Sequence, residues 1–216
     1  MNGISGIMNK TNSISITKEE ISGMEQEMFQ GRIIVIQTLN EADKAVDYLS
    51  GFKVLGFDTE TRPSFKKGHT HRVALIQIST EDTCFLFRIN IIGFTESLKG
   101  LLNNDKITKI GLSIHDDFTM LNRVSSFEPR NFIELQSFVK QYNICDMSLQ
   151  KIYAIIFGKK ISKSQRLSNW EAENLTPGQQ KYAATDAWAC IQIYKKLKSD
   201  SIPVPNISDI NRTNII

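Results

Sequence analysis

The run Val54-Leu55-Gly56-Phe57, followed at once by Asp58-Thr59-Glu60, constrains the fold more than any other stretch of the chain. Apolar runs of this length form strands buried on both faces, so the acids that end this one stand at the rim of a core. Side chains two residues apart in a strand point the same way, which sets Asp58 and Glu60 on one face, roughly 7 Å apart. Two carboxylates on a mostly dry wall repel by about 4 kcal/mol at 4 Å and an effective dielectric near 20. A proton on one of them, or a divalent cation between them, relieves the repulsion. Taken alone, D-x-E is also an ordinary start to a solvated loop, and what decides between the two lies further along the chain.

The 216 residues suit one domain with decorated ends, burying roughly 70% of the unfolded surface. Residues 1–30 are polar and are expected as a partly mobile appendage with one short helix, opened by the capping box Thr17-Lys18-Glu19-Glu20. The domain is expected over 31–200, with 201–216 as a tail. Ile33 to Ile36 is a β-branched strand candidate, and the box Thr38-Leu39-Asn40-Glu41 opens a helix carrying Ala42, Ala45, Val46 and Leu49. After the strand that bears Asp58, Val73 to Ile78 and Cys84 to Phe87 read as strands joined by a hairpin at Thr80-Glu81-Asp82-Thr83. Then helix and strand alternate: a helix marked by Phe94, Leu98, Leu101 and Leu102, a strand from Ile107 to Leu112, a helix with Phe118, Leu121 and Val124, and a strand from Phe132 to Leu135. Helical patterns follow at Phe138 to Tyr142 and at Leu149 to Ile156, where Gly158 is the stop. The box Thr176-Pro177-Gly178-Gln179 opens a long last helix. Three antiparallel strands followed by alternating helices and strands imply an α/β fold, a mixed sheet covered by helices, and this is the element order of the ribonuclease H-like arrangement.

Cys84, Cys145 and Cys190 are odd in number, far apart and set in apolar sequence, so they are expected as reduced core thiols in a reducing compartment. No run approaches the ~18 apolar residues of a membrane span, and the expectation is a soluble, cytoplasmic protein. A net charge of +3 allows a polyanionic partner without demanding one. The basic loop from Lys159 through Lys160 and Lys163 to Arg166 is either solvated or a phosphate contact.

In the last helix Tyr182 and Asp186 are four residues apart and stack on one face, with Cys190, Ile193 and Leu197 continuing the stripe. If that stripe packs on the sheet, Asp186 is delivered to the rim that holds Asp58 and Glu60. The bland alternative is a hydrogen-bonded Tyr–Asp pair on a half-buried face. The segment Gly111 to Phe118 leaves a strand and enters a helix, so Asp116 or Asp117 also lies at a strand end, or serves as a helix cap.

Together these residues resemble the four-carboxylate, tyrosine-bearing (DEDDy) 3′-5′ exonucleases, a family that includes ribonuclease D, the exonuclease domain of Werner syndrome helicase and the proofreading domain of DNA polymerase I. The resemblance covers roughly Ile33 to Leu197 and rests on three motifs in order: Phe57-Asp58-Thr59-Glu60-Thr61; Gly111 with Asp117 six residues on and Leu121 after four more; and Tyr182 four residues before Asp186. It implies that Asp58, Glu60 and Asp186 hold one Mg²⁺ or Mn²⁺ and that Asp58 and Asp117 hold a second. It also implies that Tyr182 orients an attacking water, and that single-stranded 3′ ends of DNA or RNA are the substrate. Of the doublet, Asp117 has the family's offsets and Asp116 does not. The resemblance further places Leu75 and Phe118 as a rest for the terminal base, although both residue types are equally at home in a core. His69 and His71 form an H-x-H, and His115 precedes the doublet, but without a nearby cysteine or third histidine they read as solvated rather than zinc-binding. A catalytically inactive nucleic-acid-binding domain of the same fold is the competing expectation.

Overall fold

In the computed structural model, residues 13–64 and 71–199 are described. The helices and strands are α1 (Lys18–Ser22), β1 (Arg32–Ile36), α2 (Leu39–Leu49), β2 (Val54–Thr61), β3 (Val73–Ser79), β4 (Thr83–Phe87), α3 (Ile89–Ile92), α4 (Glu96–Asn103), β5 (Thr108–Gly111), α5 (Ile114–Asn122), β6 (Phe132–Glu134), α6 (Leu135–Phe138), a 3₁₀ turn at Val139–Tyr142, α7 (Leu149–Phe157) and α8 (Pro177–Ser199). They form one six-stranded sheet in the order β1-β4-β3-β2-β5-β6. β2, β3 and β4 are antiparallel neighbours, whereas β5 runs parallel to β2, β6 to β5 and β1 to β4. This is the expected mixed α/β sheet, and its centre is β2, whose apolar start is buried between two layers of helices.

Alternation along the strands sorts the core into two faces. Leu55, Phe57, Ile76 and Ile78 pack with Ala42, Ala45 and Leu49 of α2 and Leu98 and Leu101 of α4. Opposite, Leu75, Cys84 and Leu86 pack with Tyr182, Ala183 and Ala184 of α8 and with Trp170. A Cβ on Gly56 would overlap the carbonyl oxygen of Ala187, so a residue without a side chain is what lets α8 lie this close to β2. That closest approach falls two residues before Asp58 and one after Asp186.

The local signals act as expected at several ends. Thr17 with Glu20 and Thr38 with Glu41 form capping boxes, Thr176 and Gln179 bond reciprocally at the start of α8, and Gly158 ends α7 at φ 66°. The hairpin between β3 and β4 closes with Thr80 N–H donating to Thr83 O at 2.8 Å. Elsewhere the structure departs from expectation. Leu135 begins α6 instead of ending β6, because the Glu134 carboxylate accepts the Gln136 N–H and turns the chain. Cys145 is exposed rather than in the core, since its extended neighbours Ile144 and Asp146 face inward, Ile144 into the core and Asp146 onto Ile16 N–H.

Residues 13–31, expected as an appendage, are docked along the domain. Ile14 pairs with Ile144, Gln26 pairs with Lys160, and Ile16, Ile21 and Phe29 are buried. Residues 1–12, 65–70 and 200–216, which include His69 and the expected tail, lie outside the described residues. Among the described residues no helix is long and apolar enough to cross a membrane.

Candidate functional site

β2 carries Asp58 and Glu60 out of the core on the α8 face, and α8 brings Asp186 down onto them. One carboxylate oxygen from each of the three lies within 4.8 Å of the others. Asp186 is 8% exposed, and Asp58 and Glu60 are half-buried. Burial raises all three carboxyl groups above the ordinary range, and the charge of Asp186 adds to the effect on both Asp58 and Glu60. Glu60 is pushed up to about 9. Three acids that resist ionisation side by side form a site whose negative charge its surroundings do not offset.

Tyr182 stacks one turn before Asp186 and hydrogen-bonds to it through its hydroxyl. Burial first, then the neighbouring acids, drive its phenol well above its usual value, so the hydroxyl remains protonated. Its ring lies 6.0 Å from that of Trp170, which is fully buried beneath it.

Asp117 arrives from the other side of the sheet. Thr59 projects through β2 away from Asp58 and Glu60, and its hydroxyl donates a hydrogen bond to Asp117 Oδ1. Asp117 stands outside the three-oxygen group, but its charge acts on both Asp58 and Glu60. Burial raises its own carboxyl group to about 6. Asp117 is half-buried, whereas Asp116 and His115 are exposed. Neither acid of the doublet is the helix cap: that position is held by Ser113 at φ 60°, with no side-chain capping bond. The free N–H groups of Ser113 and Ile114 instead donate to the Glu134 carboxylate at 3.0 and 2.8 Å. A cavity of about 340 Å³ opens between Glu60, Arg62, His71, Asp117 and Met120.

The basic loop divides its labour. Lys159 pairs with Glu27 at 3.1 Å and Lys160 donates to the Ser22 carbonyl, tying the loop to the docked N-terminal segment. Lys163 and Arg166 instead act on the acids, Lys163 lowering Asp186 and Arg166 lowering Glu60. His71 lies 3.6 Å from Glu171, which also pairs with Arg62 at 3.3 Å, so it has a carboxylate partner away from the three acids. Leu75 is fully buried and offers no surface to a base. Phe118 is half-buried with its ring edge-on to Phe127 and Phe132.

The residue types brought the five residues Asp58, Glu60, Asp117, Tyr182 and Asp186 to notice, but not Thr59 or Glu134. Glu134 carried a readable signal, because it too is an acid closing a short apolar strand. Thr59 carried none, since its partner comes from a helix more than fifty residues away.

The family described as 3′-5′ exonuclease matches residues 33–201. The mouse bifunctional 3′-5′ exonuclease/ATP-dependent helicase WRN is 39% identical over 155 residues, 69% of this chain and 11% of that protein. An Arabidopsis thaliana 3′-5′ exonuclease is 32% identical over 186 residues, 79% of this chain and 65% of that one. The chain therefore spans less than two thirds of either relative. Among solved structures, the Aedes aegypti Nibbler EXO domain superposes with a TM-score of 0.72 at 19% identity, covering 86% of this chain and 98% of that one. Escherichia coli RNase D gives 0.70 at 22%, covering 79% and 45%. At these identities the two structures establish the shared ribonuclease H-like fold. With the family match spanning β1 to the end of α8 and the acidic and tyrosine motifs in order within it, the chain belongs to the DEDDy-type 3′-5′ exonuclease family.

Proposed function

We propose that the chain hydrolyses phosphodiester bonds one at a time from single-stranded 3′ ends of DNA or RNA, using two divalent ions, Mg²⁺ or Mn²⁺, and releasing nucleoside 5′-monophosphates. The observation that carries this reading is the convergence of Asp58, Glu60 and Asp186 to within 4.8 Å. The donor set fits the ions: every candidate ligand is a hard carboxylate oxygen, and few are needed because magnesium retains several waters. Asp58, Glu60 and Asp186 would hold one ion, and Asp58 with Asp117 the second. Bound there, the ions would supply a more acidic water and charge stabilisation for the phosphoryl oxygens.

The chain's own residues do the rest. The Tyr182 hydroxyl, protonated at neutral pH, positions the attacking water by hydrogen bonding and does not take its proton. Thr59 fixes the Asp117 carboxylate against β2. Lys163 and Arg166 stand across from the acids, where a phosphate backbone arriving at the sheet rim meets positive charge. Acids seated at a half-buried rim favour a single strand, whose terminal phosphodiester can be drawn in without opening a duplex.

Incubating matched 5′-labelled DNA and RNA oligonucleotides with Mg²⁺ or Mn²⁺ should give a descending ladder, absent in EDTA and in Asp58→Ala. Intact oligonucleotides under every metal, with binding that persists in EDTA, would make the chain a non-catalytic nucleic-acid-binding domain and overturn the proposal.

A further inference from the structure

β3 is an apolar strand with one exception. In Val73-Ala74-Leu75-Ile76-Gln77-Ile78, Gln77 is fully buried, and neither its Nε2 nor its Oε1 has a hydrogen-bond partner. Among the described residues it is the one side chain with both polar ends in that condition. A buried unmet donor or acceptor costs about 1–3 kcal/mol, so the fold alone would be better served by Met or Leu at this position. The cost needs a reason outside the fold.

The sheet register supplies one. Gln77 is directly opposite Asp58 on β2 and opposite Leu86 on β4. Side chains paired across a sheet share a face with Cβ atoms about 4.5–5.5 Å apart, so the Gln77 amide lies beside the Asp58 carboxylate beneath α8. Along β3 its neighbours on that face are Leu75, which is apolar, and Ser79, whose hydroxyl already donates to the Thr80 carbonyl at 2.7 Å, while Glu60, paired with Leu75, is a diagonal step farther from Gln77 than Asp58 is. Asp58 is thus the carboxylate directly across from the amide.

We propose that Gln77 is the positioning residue of Asp58: its Nε2 donates to the Asp58 carboxylate when a divalent ion is held there, fixing which oxygens face the ion. The inference rests on the metal-binding reading of the acids. It assigns the amide a purpose that the metal-free fold does not provide. A group that orients a metal ligand in this way is worth on the order of 10- to 100-fold in metal affinity.

The test is Mn²⁺ binding to the substrate-free full chain, followed by electron paramagnetic resonance and calorimetry, with thermal unfolding in EDTA measured alongside. Wild type should bind Mn²⁺ and Asp58→Ala should not. If wild type fails to bind, the metal reading of the acids falls, and with it this inference. Gln77→Met, close in shape and without the amide, should weaken Mn²⁺ binding at least about 10-fold while leaving the unfolding temperature in EDTA equal or higher. Wild-type affinity in Gln77→Met overturns the role of Gln77 alone. A joint fall in affinity and unfolding temperature marks Gln77 as a packing residue and also overturns it. Gln77→Leu is measured in parallel. If neither variant folds, the amide is satisfied within the fold and the inference is overturned as well.

Discussion

Glu60→Gln should stabilise the metal-free protein while disabling its site. Burial, then the charges of Asp186 and Asp117, raise the Glu60 carboxyl from 4.5 to about 9. A carboxyl raised in the folded state contributes stability that is complete below the unfolded value and is lost as pH rises toward the folded one. Here the window runs from 4.5 up to about 9. Near pH 7 the loss amounts to about 3 kcal/mol, and solvent screening at a half-buried side chain reduces it to about 2–3 kcal/mol. Glutamine carries no such loss. At roughly 2–4 °C per kcal/mol for a chain of this size, Glu60→Gln should unfold about 4–12 °C higher in EDTA near pH 7. Near pH 5 the advantage should shrink to under about 1 kcal/mol. Saturating Mn²⁺ should shrink that advantage, because a ligand at a hundred times its Kd adds about 2.7 kcal/mol to wild type and less to the variant. The assay is thermal unfolding by circular dichroism across pH, with and without Mn²⁺. A wild-type unfolding temperature that is flat from pH 5 to 8 in EDTA, or a variant no more stable than wild type near pH 7, would refute the reasoning.

Thr59→Val should release Asp117 and lower kcat by roughly 10-fold or more, given about 1.5–3 kcal/mol for a hydrogen bond to a charged group, while Thr59→Ser restores most of it; steady-state kinetics on a labelled oligonucleotide decide the matter. Gly56→Ala should force α8 away from β2, costing about 1–3 kcal/mol in a urea titration and weakening Mn²⁺ binding in step, since the same contact seats Asp186. Tyr182→Phe should reduce kcat by about 10²-fold with Mn²⁺ affinity unchanged by calorimetry; an equal loss of affinity would assign the hydroxyl to holding Asp186 instead of a water.

The strands β2, β3 and β4 were legible because apolar runs of five to eight residues between turn formers have few other uses. Capping boxes at Thr17, Thr38 and Thr176 were legible because they are local chemistry, completed within four residues. The site was readable as a set of acids at strand ends and on one helix stripe, but its assembly depends on how near α8 comes to β2. That distance is set by Gly56 against Ala187, a contact no periodicity reveals. Gln77 stood in plain view as the polar member of an apolar strand, yet its meaning appeared only with the register that places it across from Asp58. The segment before β1 is polar in composition, and its burial follows from partners more than a hundred residues away, such as Asn143 and Lys160. Cys145 misled because a thiol flanked by Ile144 suggests a core, whereas an extended chain turns alternate residues outward.

That docked segment has a consequence for how the protein is handled. The stretch shared with the exonuclease family begins at residue 33, but Lys160 accepts from Glu27 N–H, Lys159 grips its carboxylate, and Phe29 is buttoned to α8 through Thr185 and Lys181. A fragment trimmed to the family boundary would keep Asp58, Glu60, Asp117 and Asp186 and yet lose the brace on Lys159 and Lys160, which lead into Lys163 and Arg166. The stretch that matches the family and the stretch that packs as one body are, in this molecule, cut to different lengths.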